Sequence, residues 1–140
     1  MVNHQIADLL VRIRNAYLVN KHSVFIPYSK MKEKIVKILY LEKYIDDYRV
    51  VKKITNTNNK SKTAKFKSIQ IKLGYYKDKS IIVGIKLISK PGLRVYAPYR
   101  NIPTVHSGLG TVVLSTSLGI LTDKQAKIKG VGGEVLFNIW

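Results

Sequence analysis

The sequence predicts an α+β fold, in which a small N-terminal α/β domain packs against a C-terminal, mostly antiparallel β domain with short helices. Apolar residues recur at helical spacing in two stretches before residue 44. Short apolar runs and period-two alternation dominate the rest of the chain. Glycine and proline punctuate those runs, as tight turns between antiparallel strands require. We place the domain boundary between residues 75 and 76.

The first half is predicted to run helix, strand, helix, strand, strand. The expected elements are a helix over 4–17, a strand over 24–27, a helix over 30–43, and strands over 45–53 and 66–73. Asn3 and Ser29 have the short polar side chains that cap helix N-termini. The stretch 55–65 is polar, rich in Asn and Lys, and predicts a mobile hairpin loop.

The second half is predicted to be mostly antiparallel sheet. Its strands are expected over 81–89, 93–97, 111–117 and 134–140, with a Lys-Pro-Gly turn between the first two. Thr122 and Asp123 indicate the start of a short helix, and Gly130 indicates its end. Three hydroxyl residues, Ser115, Thr116 and Ser117, follow the apolar run 112–114. They could cap a turn, supply a nucleophile or contact a ligand.

Positive charge dominates the composition. Lys and Arg total 25 against 8 Asp and Glu, which gives a net charge of +17. Residues 1–65 carry 14 basic and 5 acidic groups, and residues 66–140 carry 11 and 3. Such an excess favours a polyanionic partner: nucleic acid is the default expectation and an anionic membrane surface the alternative. The absence of cysteine, of a secretory signal pattern and of a long apolar stretch indicates a soluble intracellular protein.

A hydrolase is the enzymatic alternative. Ser115 or Ser117 as nucleophile, His106 as base and Asp123 as orienting acid would supply the necessary residue types. The chain has no Gly-x-Ser-x-Gly elbow, and Asp123 stands where a helix N-terminus favours a carboxylate. The three histidines have no metal-ligand spacing, so no metal site is predicted.

Two other patterns leave alternatives open. Lys30, Lys34 and Lys37 share one side of the second helix, which is typical either of a solvated face or of a phosphate-facing row. Nine tyrosines are interleaved with basic residues, and each could serve the core or stack on a base. Tyr96, beside Arg94, is the best candidate for stacking.

The motifs of the chain carry a resemblance. In order along the sequence stand IADLLVRIRN, PYSKMK, SKPGLRVY, GLGTVVLSTS with Gly119, then Thr-Asp and Gly-Gly-Glu. Through essentially its whole length the chain resembles the family of bacterial-type small-subunit ribosomal protein number eight. The resemblance implies two small domains and a structural constituent of the small ribosomal subunit, not an enzyme.

The resemblance also implies a binding partner. In this family the Ser-Thr-Ser loop enters the central domain of small-subunit (16S-type) ribosomal RNA, and the protein aids RNA folding and subunit assembly. Gly132, Gly133 and Glu134 are expected under that loop. The predicted RNA-binding residues are Ser115, Thr116, Ser117, Gly119, Gly132, Gly133, Glu134, Tyr96, Arg94, Lys90, Arg12, Arg14, Asn15, Ser29, Lys30, Lys32 and Lys34. Small-subunit proteins five, seventeen and two are the implied neighbours, with no membrane, cofactor or small-molecule substrate.

Two departures from the family pattern accompany the resemblance. Leu118 stands where the family commonly has a lysine, and the predicted hairpin around 53–66 is longer than in many members. The implied location is the cytoplasmic ribosome of a bacterium or the ribosome of a plastid or mitochondrion. A nonspecific nucleic-acid or membrane-surface binder, with affinity set by charge alone, is the third hypothesis beside the ribosomal protein and the hydrolase.

Overall fold

The computed structural model describes the backbone of residues 2–55 and 64–140 and the side chains of 4–52 and 67–140. The first half contains α1 (Val2–Leu18), β1 (Ser23–Pro27), α2 (Lys30–Leu41), β2 (Asp47–Thr55) and β3 (Ala64–Lys72). The strands form an antiparallel sheet in the order β1-β3-β2. Ile26, Ile69 and Ile71 are fully buried against the two helices, as the apolar periodicity predicts.

The helix boundaries differ slightly from those predicted. Helix α1 begins at Val2, so Asn3 lies inside it; a shift of one or two residues at a helix end is common. The Ser29 cap is confirmed, because its side chain accepts a hydrogen bond from the Lys32 amide at 3.2 Å. Helix α2 ends at Leu41 because Lys43 adopts a φ of 65°, which a right-handed helix excludes. Of the predicted loop 55–65, residues 56–63 lie outside the described residues.

The second half is largely antiparallel sheet, as predicted. It contains β4 (Tyr75–Tyr76), β5 (Lys79–Ser80), β6 (Ile85–Leu87), β7 (Tyr96–Ala97), β8 (Thr111–Thr116), β9 (Gly119–Thr122), α3 (Asp123–Lys129) and β10 (Gly133–Ile139). The main sheet has the order β6-β10-β8-β9, and β7 also pairs with β10. Single 3₁₀ turns lie at Tyr99–Asn101 and His106–Gly108. Strands β4 and β5 form a separate hairpin.

Three predicted strands are wrong in extent. The strand 81–89 shrinks to β6, because residues 75–80 form a hairpin and the chain then bends to bond Val83 and Gly84 to the Trp140 carbonyl. The strand 93–97 shrinks to β7, because the Ser89 hydroxyl accepts from the Val95 amide and replaces ladder pairing there. The strand 111–117 ends at residue 116, where a tight turn leads into β9. The sequence pattern did not distinguish β9 from the start of the helix that follows it.

The main C-terminal sheet has two differently covered faces. Val113 and Phe137 join the core cluster that contains α1, α2 and the N-terminal sheet. Leu114 and Val135, on the opposite face, pack with Ala126 of α3. Neighbouring strand residues point to opposite faces, so β8 and β10 alternate between the two clusters.

A bulge in β10 sets which residues share a face. Val135 pairs with Leu114 and Phe137 with Val113, which leaves Leu136 as the extra residue. Glu134 pairs with Ser115, two residues from Val113 along β8. Glu134 and Phe137 therefore face the same side of the sheet.

The Tyr44 hydroxyl joins the two halves, and the Tyr17 hydroxyl makes two bonds within the first half. Tyr17 donates to the Tyr44 carbonyl at 3.0 Å and accepts from the Gly74 amide at 3.1 Å. The Tyr44 hydroxyl contacts Thr111 Oγ1 at 3.1 Å and donates to the Ile139 carbonyl at 3.2 Å. Burial raises the pKa of Tyr17 above its usual value near 10. These residues are structural, whereas Tyr96 is 66% exposed. The division into domains at residue 75 stays a prediction, since one core cluster spans both halves.

Candidate nucleic-acid interface

The three hydroxyls, here called the hydroxyl loop (Ser115, Thr116 and Ser117), have different surroundings. Thr116 Oγ1 donates to the Gly119 carbonyl at 2.7 Å and accepts from the Leu118 amide at 3.2 Å, which closes the β8–β9 turn. Gly119 has a φ of 110°, a conformation that favours glycine. Within the described part of the chain, the side chains of Ser115 and Ser117 make no hydrogen bond. Two of the three hydroxyls are thus available to a ligand, and the third shapes the turn.

A polar row crosses the sheet next to this turn. Ser115 on β8 lies opposite Glu134 on β10, and Glu134 lies opposite Tyr96 on β7. Directly paired residues of antiparallel strands share a face of the sheet. The three side chains, which we call the polar row, therefore project together from one face of the sheet. Farther along the same strands, the N-terminal half of the chain covers this face. The structure thus brings together a hydroxyl, a carboxylate and an exposed aromatic ring.

Glu134 is the unusual member of the polar row. Its side chain is only 11% exposed, and Oε2 lies 3.9 Å from the Arg94 guanidinium. That distance allows Coulombic attraction but exceeds a hydrogen bond. The other oxygen, Oε1, is buried without a hydrogen-bond partner. An unsatisfied buried carboxylate oxygen is energetically costly, so a ligand whose binding turns this oxygen toward a hydrogen-bond donor gains affinity.

Two glycines bring the backbone of this region into close contact. A Cβ on Gly133 would overlap the Ser115 carbonyl oxygen and would lie 2.9 Å from its carbon. A Cβ on Gly132 would overlap the Ala97 carbonyl oxygen and would lie 2.7 Å from the Tyr99 amide nitrogen. The backbone therefore approaches closely at both glycines. Both glycines act by positioning Ser115, Thr116 and the turn after β7.

The remaining C-terminal candidates lie near one another in the chain. Lys90 is exposed and forms an isolated bridge with Leu93 around the Pro-Gly turn. Arg94 follows this turn and reaches Glu134. The sequence identified these residues, but it gave no signal for the unpaired oxygen of Glu134 or for the turn-closing role of Thr116.

The N-terminal candidates divide between two grooves. Arg12 and Asn15 line a groove between α1 and β1 together with Lys21 and Phe25. Arg14 lines a separate groove beside β6. The two arginines therefore point to different sides of α1, as their helical spacing predicts. Arg12 also pairs with Asp8 one turn earlier, at 3.3 Å.

The lysines of α2 are not equivalent. Lys30 and Lys34 are exposed, but Lys32 is only 7% exposed. Position 32 shares the buried side of α2 with Val36 and Leu39, one and two turns later, so its stem packs toward α1. The sequence grouped the three lysines together, and the structure separates Lys32 from the exposed pair.

The residues of the hydrolase alternative are not assembled. Ser115 pairs with Glu134 near the start of β10, whereas His106 contacts the Trp140 ring just beyond the end of this strand. Six residues of extended strand span about 20 Å. Asp123 is buried in the first turn of α3, after the Thr122 cap. Within the described residues, no three His, Asp or Glu side chains form a cluster that could hold a metal ion.

No helix in the described part of the chain is long and apolar enough to cross a membrane.

Comparison with known proteins agrees with this description. The family described as Ribosomal protein S8 matches residues 4–140. The small ribosomal subunit protein uS8 of Halothermothrix orenii is 50% identical over 140 residues, which cover 99% of this chain and 98% of that protein. The uS8c protein of Tetradesmus obliquus is 46% identical over 141 residues, and uS8 of Kocuria rhizophila is 46% identical over 135 residues. These cover 100% and 96% of each chain, respectively.

The fold, the polar surface and these similarities define a structural protein of the small ribosomal subunit, not an enzyme. Because the match extends over nearly the whole chain, the chain belongs to the Ribosomal protein S8 family. The family resemblance drawn from the sequence motifs is confirmed. The relatives are bacterial and plastid ribosomal proteins, which agrees with the predicted location in a bacterial or organellar ribosome.

Proposed function

We propose that this chain binds the central domain of small-subunit ribosomal RNA directly and stabilises the fold of that RNA during subunit assembly. The observation that carries the proposal is the polar row beside the hydroxyl loop. Together, the polar row and the hydroxyl loop combine an exposed aromatic ring, two unengaged hydroxyls and a buried carboxylate oxygen without a partner. Each of these groups suits an unpaired nucleotide better than a regular duplex.

The chemistry of Glu134 selects one kind of contact. A carboxylate repels phosphate, so the oxygen Oε1 is suited to accept from a base amino group or a ribose hydroxyl. The Arg94 guanidinium lies 3.9 Å from the other oxygen, Oε2. Regular A-form RNA hides its base edges in a deep, narrow groove, whereas irregular or unstacked segments expose them. The polar row thus supports recognition of an irregular RNA segment.

The neighbouring side chains complete the contact. Serine hydroxyls both donate and accept, and their small size lets the RNA backbone come close. Tyr96 offers an exposed ring for stacking on a base, a contact worth about 1–3 kcal/mol. The exposed cations Lys90, Lys30 and Lys34 would contribute phosphate contacts that raise affinity without reading sequence.

Neighbouring proteins form the second part of the proposal. Membership of the small subunit implies other ribosomal proteins around this chain, and small-subunit proteins five, seventeen and two are the neighbours we propose from the family resemblance. Crosslinking of assembled subunits tests this part. Crosslinks from this chain to none of the three would contradict it.

The RNA proposal is tested by filter binding over a series of salt concentrations. The chain is titrated against a central-domain RNA fragment and against a plain duplex of equal length. The test variant is Ser115→Ala/Ser117→Ala, which removes the two unengaged hydroxyls and leaves Thr116 to close the turn. The matched control, Ser68→Ala/Thr104→Ala, removes two hydroxyls elsewhere.

Wild type should prefer the fragment by about a thousandfold, as specific sites do over nonspecific nucleic acid. The test variant should lose at least about tenfold of this preference at an unchanged salt slope, because serines carry no charge. The control should behave as wild type. Equal binding of both RNAs by wild type would identify a charge-driven binder. If the test variant binds as the control does, the hydroxyl loop is not part of the RNA interface.

A further inference from the structure

Strand β2 forms a free edge of the N-terminal sheet. In the order β1-β3-β2 it pairs with β3 on one side, and no described strand pairs with its other side. On β3 and directly after it, the Lys67 carbonyl bonds to Tyr28 and the Leu73 amide bonds to His22, both on the side of β1. Successive residues of an antiparallel strand direct their backbone groups to alternate sides. The odd-numbered residues of β3 therefore bond toward β1, and the even-numbered ones bond to β2.

Val50 and Lys52 carry the unpaired backbone groups of this edge. Their partners on β3, Ile69 and Lys67, are odd-numbered and direct their own groups toward β1. The N–H and C=O groups of Val50 and Lys52 therefore point away from β3, and no described residue bonds to them. An edge with unpaired N–H and C=O groups is a template for a further strand.

Helix α2 forms the wall of a groove along this edge. Val50 lies opposite Ile69, which is buried against the helices, so the Val50 side chain points to the helix side of the sheet. The Tyr40 ring contacts the Tyr48 ring with centroids 5.6 Å apart, and Lys37 lies about one turn before Tyr40 on the same side of α2. Tyr40 is 41% exposed and Val50 is 38% exposed. We call this feature the β2 groove, which is lined by Lys37, Tyr40, Tyr48, Val50 and Lys52.

The charge around the β2 groove is positive. Residues 48–72 contain eight Lys and Arg and no acid. Lys37, Arg49 and Lys52 are exposed and form no ion pair with a described residue. Two acids beside the groove are engaged, since Glu33 accepts from a tyrosine hydroxyl at 2.7 Å and Asp47 accepts from a backbone amide at 2.8 Å. The groove therefore attracts an acidic ligand.

A polypeptide strand suits the β2 groove better than two other occupants. A second copy of this chain also carries a net charge of +17, and lysines on an edge strand oppose pairing between like edges. The phosphate groups of RNA accept hydrogen bonds but donate none at neutral pH, so they would leave the edge carbonyls unsatisfied. An extended acidic segment supplies donors, acceptors and negative charge together.

We propose that the β2 groove binds an extended acidic segment of another protein, which adds to β2 as a fourth strand of the N-terminal sheet. Main-chain hydrogen bonds to Val50 and Lys52 supply affinity in this mode, and alternate side chains supply selectivity. Side chains of the segment that face α2 meet Tyr40, Tyr48 and Val50, which favours apolar residues at every second position. Acidic residues at the intervening positions fall on the side of Arg49, about 5 Å away on the neighbouring strand. The proposal uses no residue of the proposed RNA interface.

The first test compares peptides that differ in which backbone donors they retain. The full chain is titrated onto a fluorescein-labelled peptide, Glu-Val-Glu-Val-Glu-Val, and fluorescence anisotropy reports binding. One derivative is N-methylated at the valines, whose N–H groups face β2 when the valines face α2. The matched derivative is N-methylated at the glutamates, whose N–H groups then face solvent. All three peptides carry the same charge.

The second test changes the edge itself. Val50→Pro removes an N–H group to which no described residue bonds, and proline is tolerated on an edge strand where its nitrogen faces away from the sheet. Val50→Thr retains the N–H group and the β-branched shape, so it is the matched control. Circular dichroism melts check that both variants fold. If Val50→Pro does not fold, the two methylated peptides alone decide the question.

The unmodified and glutamate-methylated peptides should bind wild type within about threefold of each other, because both retain the donors that face β2. The valine-methylated peptide should bind at least about tenfold more weakly, because the edge carbonyls lose their donors. Val50→Pro should weaken binding of the unmodified peptide at least about fivefold, and Val50→Thr should weaken it less than about threefold.

Three results would overturn the proposal. The two methylated peptides could bind equally well, which would assign peptide binding to charge alone. Light scattering could show that wild type dimerises and that Val50→Pro does not, which would identify a second copy of the chain as the occupant. Val50→Pro could weaken binding of a short RNA duplex as much as it weakens binding of the peptide, which would identify RNA as the occupant.

Discussion

Replacement of Gly133 by alanine tests how closely β8 and β10 approach each other. The added Cβ would overlap the Ser115 carbonyl oxygen and would lie 3.1 Å from the Thr116 Cα. All of these atoms belong to backbone, so no side-chain rotation can relieve the contact. The strands must separate locally, and this disturbs the pairing that positions Ser115 opposite Glu134.

The expected loss of stability follows from three contributions. Overpacking costs about 1–3 kcal/mol, and weakening two ladder hydrogen bonds costs about 1 kcal/mol each. Replacing glycine restricts the unfolded chain and returns about 0.4–1 kcal/mol. The free energy of unfolding should therefore fall by about 3 kcal/mol. For a chain of 140 residues this lowers Tm by about 10 °C.

Urea unfolding, followed by circular dichroism and by fluorescence of the single tryptophan, measures this change. Gly92→Ala is the matched control, because Gly92 has a φ of 91° but open space around its Cβ position. It should cost only the left-handed backbone strain, about 1–2 kcal/mol. A Gly133→Ala variant that loses less stability than Gly92→Ala would refute the close approach of the two strands.

Three further changes test other parts of the structure. Glu134→Gln should lower affinity for the central-domain fragment about tenfold, because the charged acceptor is lost; unchanged affinity in filter binding would show that the charge of Glu134 does not contribute to binding. Tyr17→Phe should cost about 2 kcal/mol at neutral pH in urea unfolding, because the buried Gly74 amide loses its acceptor. The raised pKa of Tyr17 means that the folded state retains this proton longer than the unfolded state, so wild-type stability should fall as pH rises above about 10. The fall in the free energy of unfolding with pH should be shallower in Tyr17→Phe, and equal slopes would contradict a raised pKa for Tyr17. Leu118→Lys should steepen the salt slope for the fragment by about 0.7–0.9, since residue 118 is 58% exposed at the turn. An unchanged slope would place the turn away from phosphate.

Local patterns predicted the helices well and the C-terminal strands poorly. Helical spacing and the caps Ser29 and Thr122 depend on neighbours within about one turn, so the sequence alone contains the signal. The shortening of the predicted strand 81–89 depends on a bond between Val83 and Trp140, residues far apart in the chain. Apolar runs identify residues that are buried but not the strands with which they pair.

The candidate site was predictable in its residue types but not in its division of roles. The hydroxyl loop and Glu134 stand out in the sequence. That Thr116 closes the turn and that one Glu134 oxygen lacks a partner depend on side-chain directions across three strands. Lys32 shows the same limit, since a lysine stem can be buried on the apolar side of a helix while its neighbours remain exposed.

The bulge at Leu136 puts the two ends of β10 out of phase with each other. Glu134 and Phe137 are three residues apart, so the strict alternation of a regular strand of the same length would turn them to opposite faces of the sheet. Pairing without the bulge would then misdirect either the buried aromatic ring or the acid. The irregular backbone pairing at Leu136, rather than any side chain, thus lets one strand present both residues on the same face.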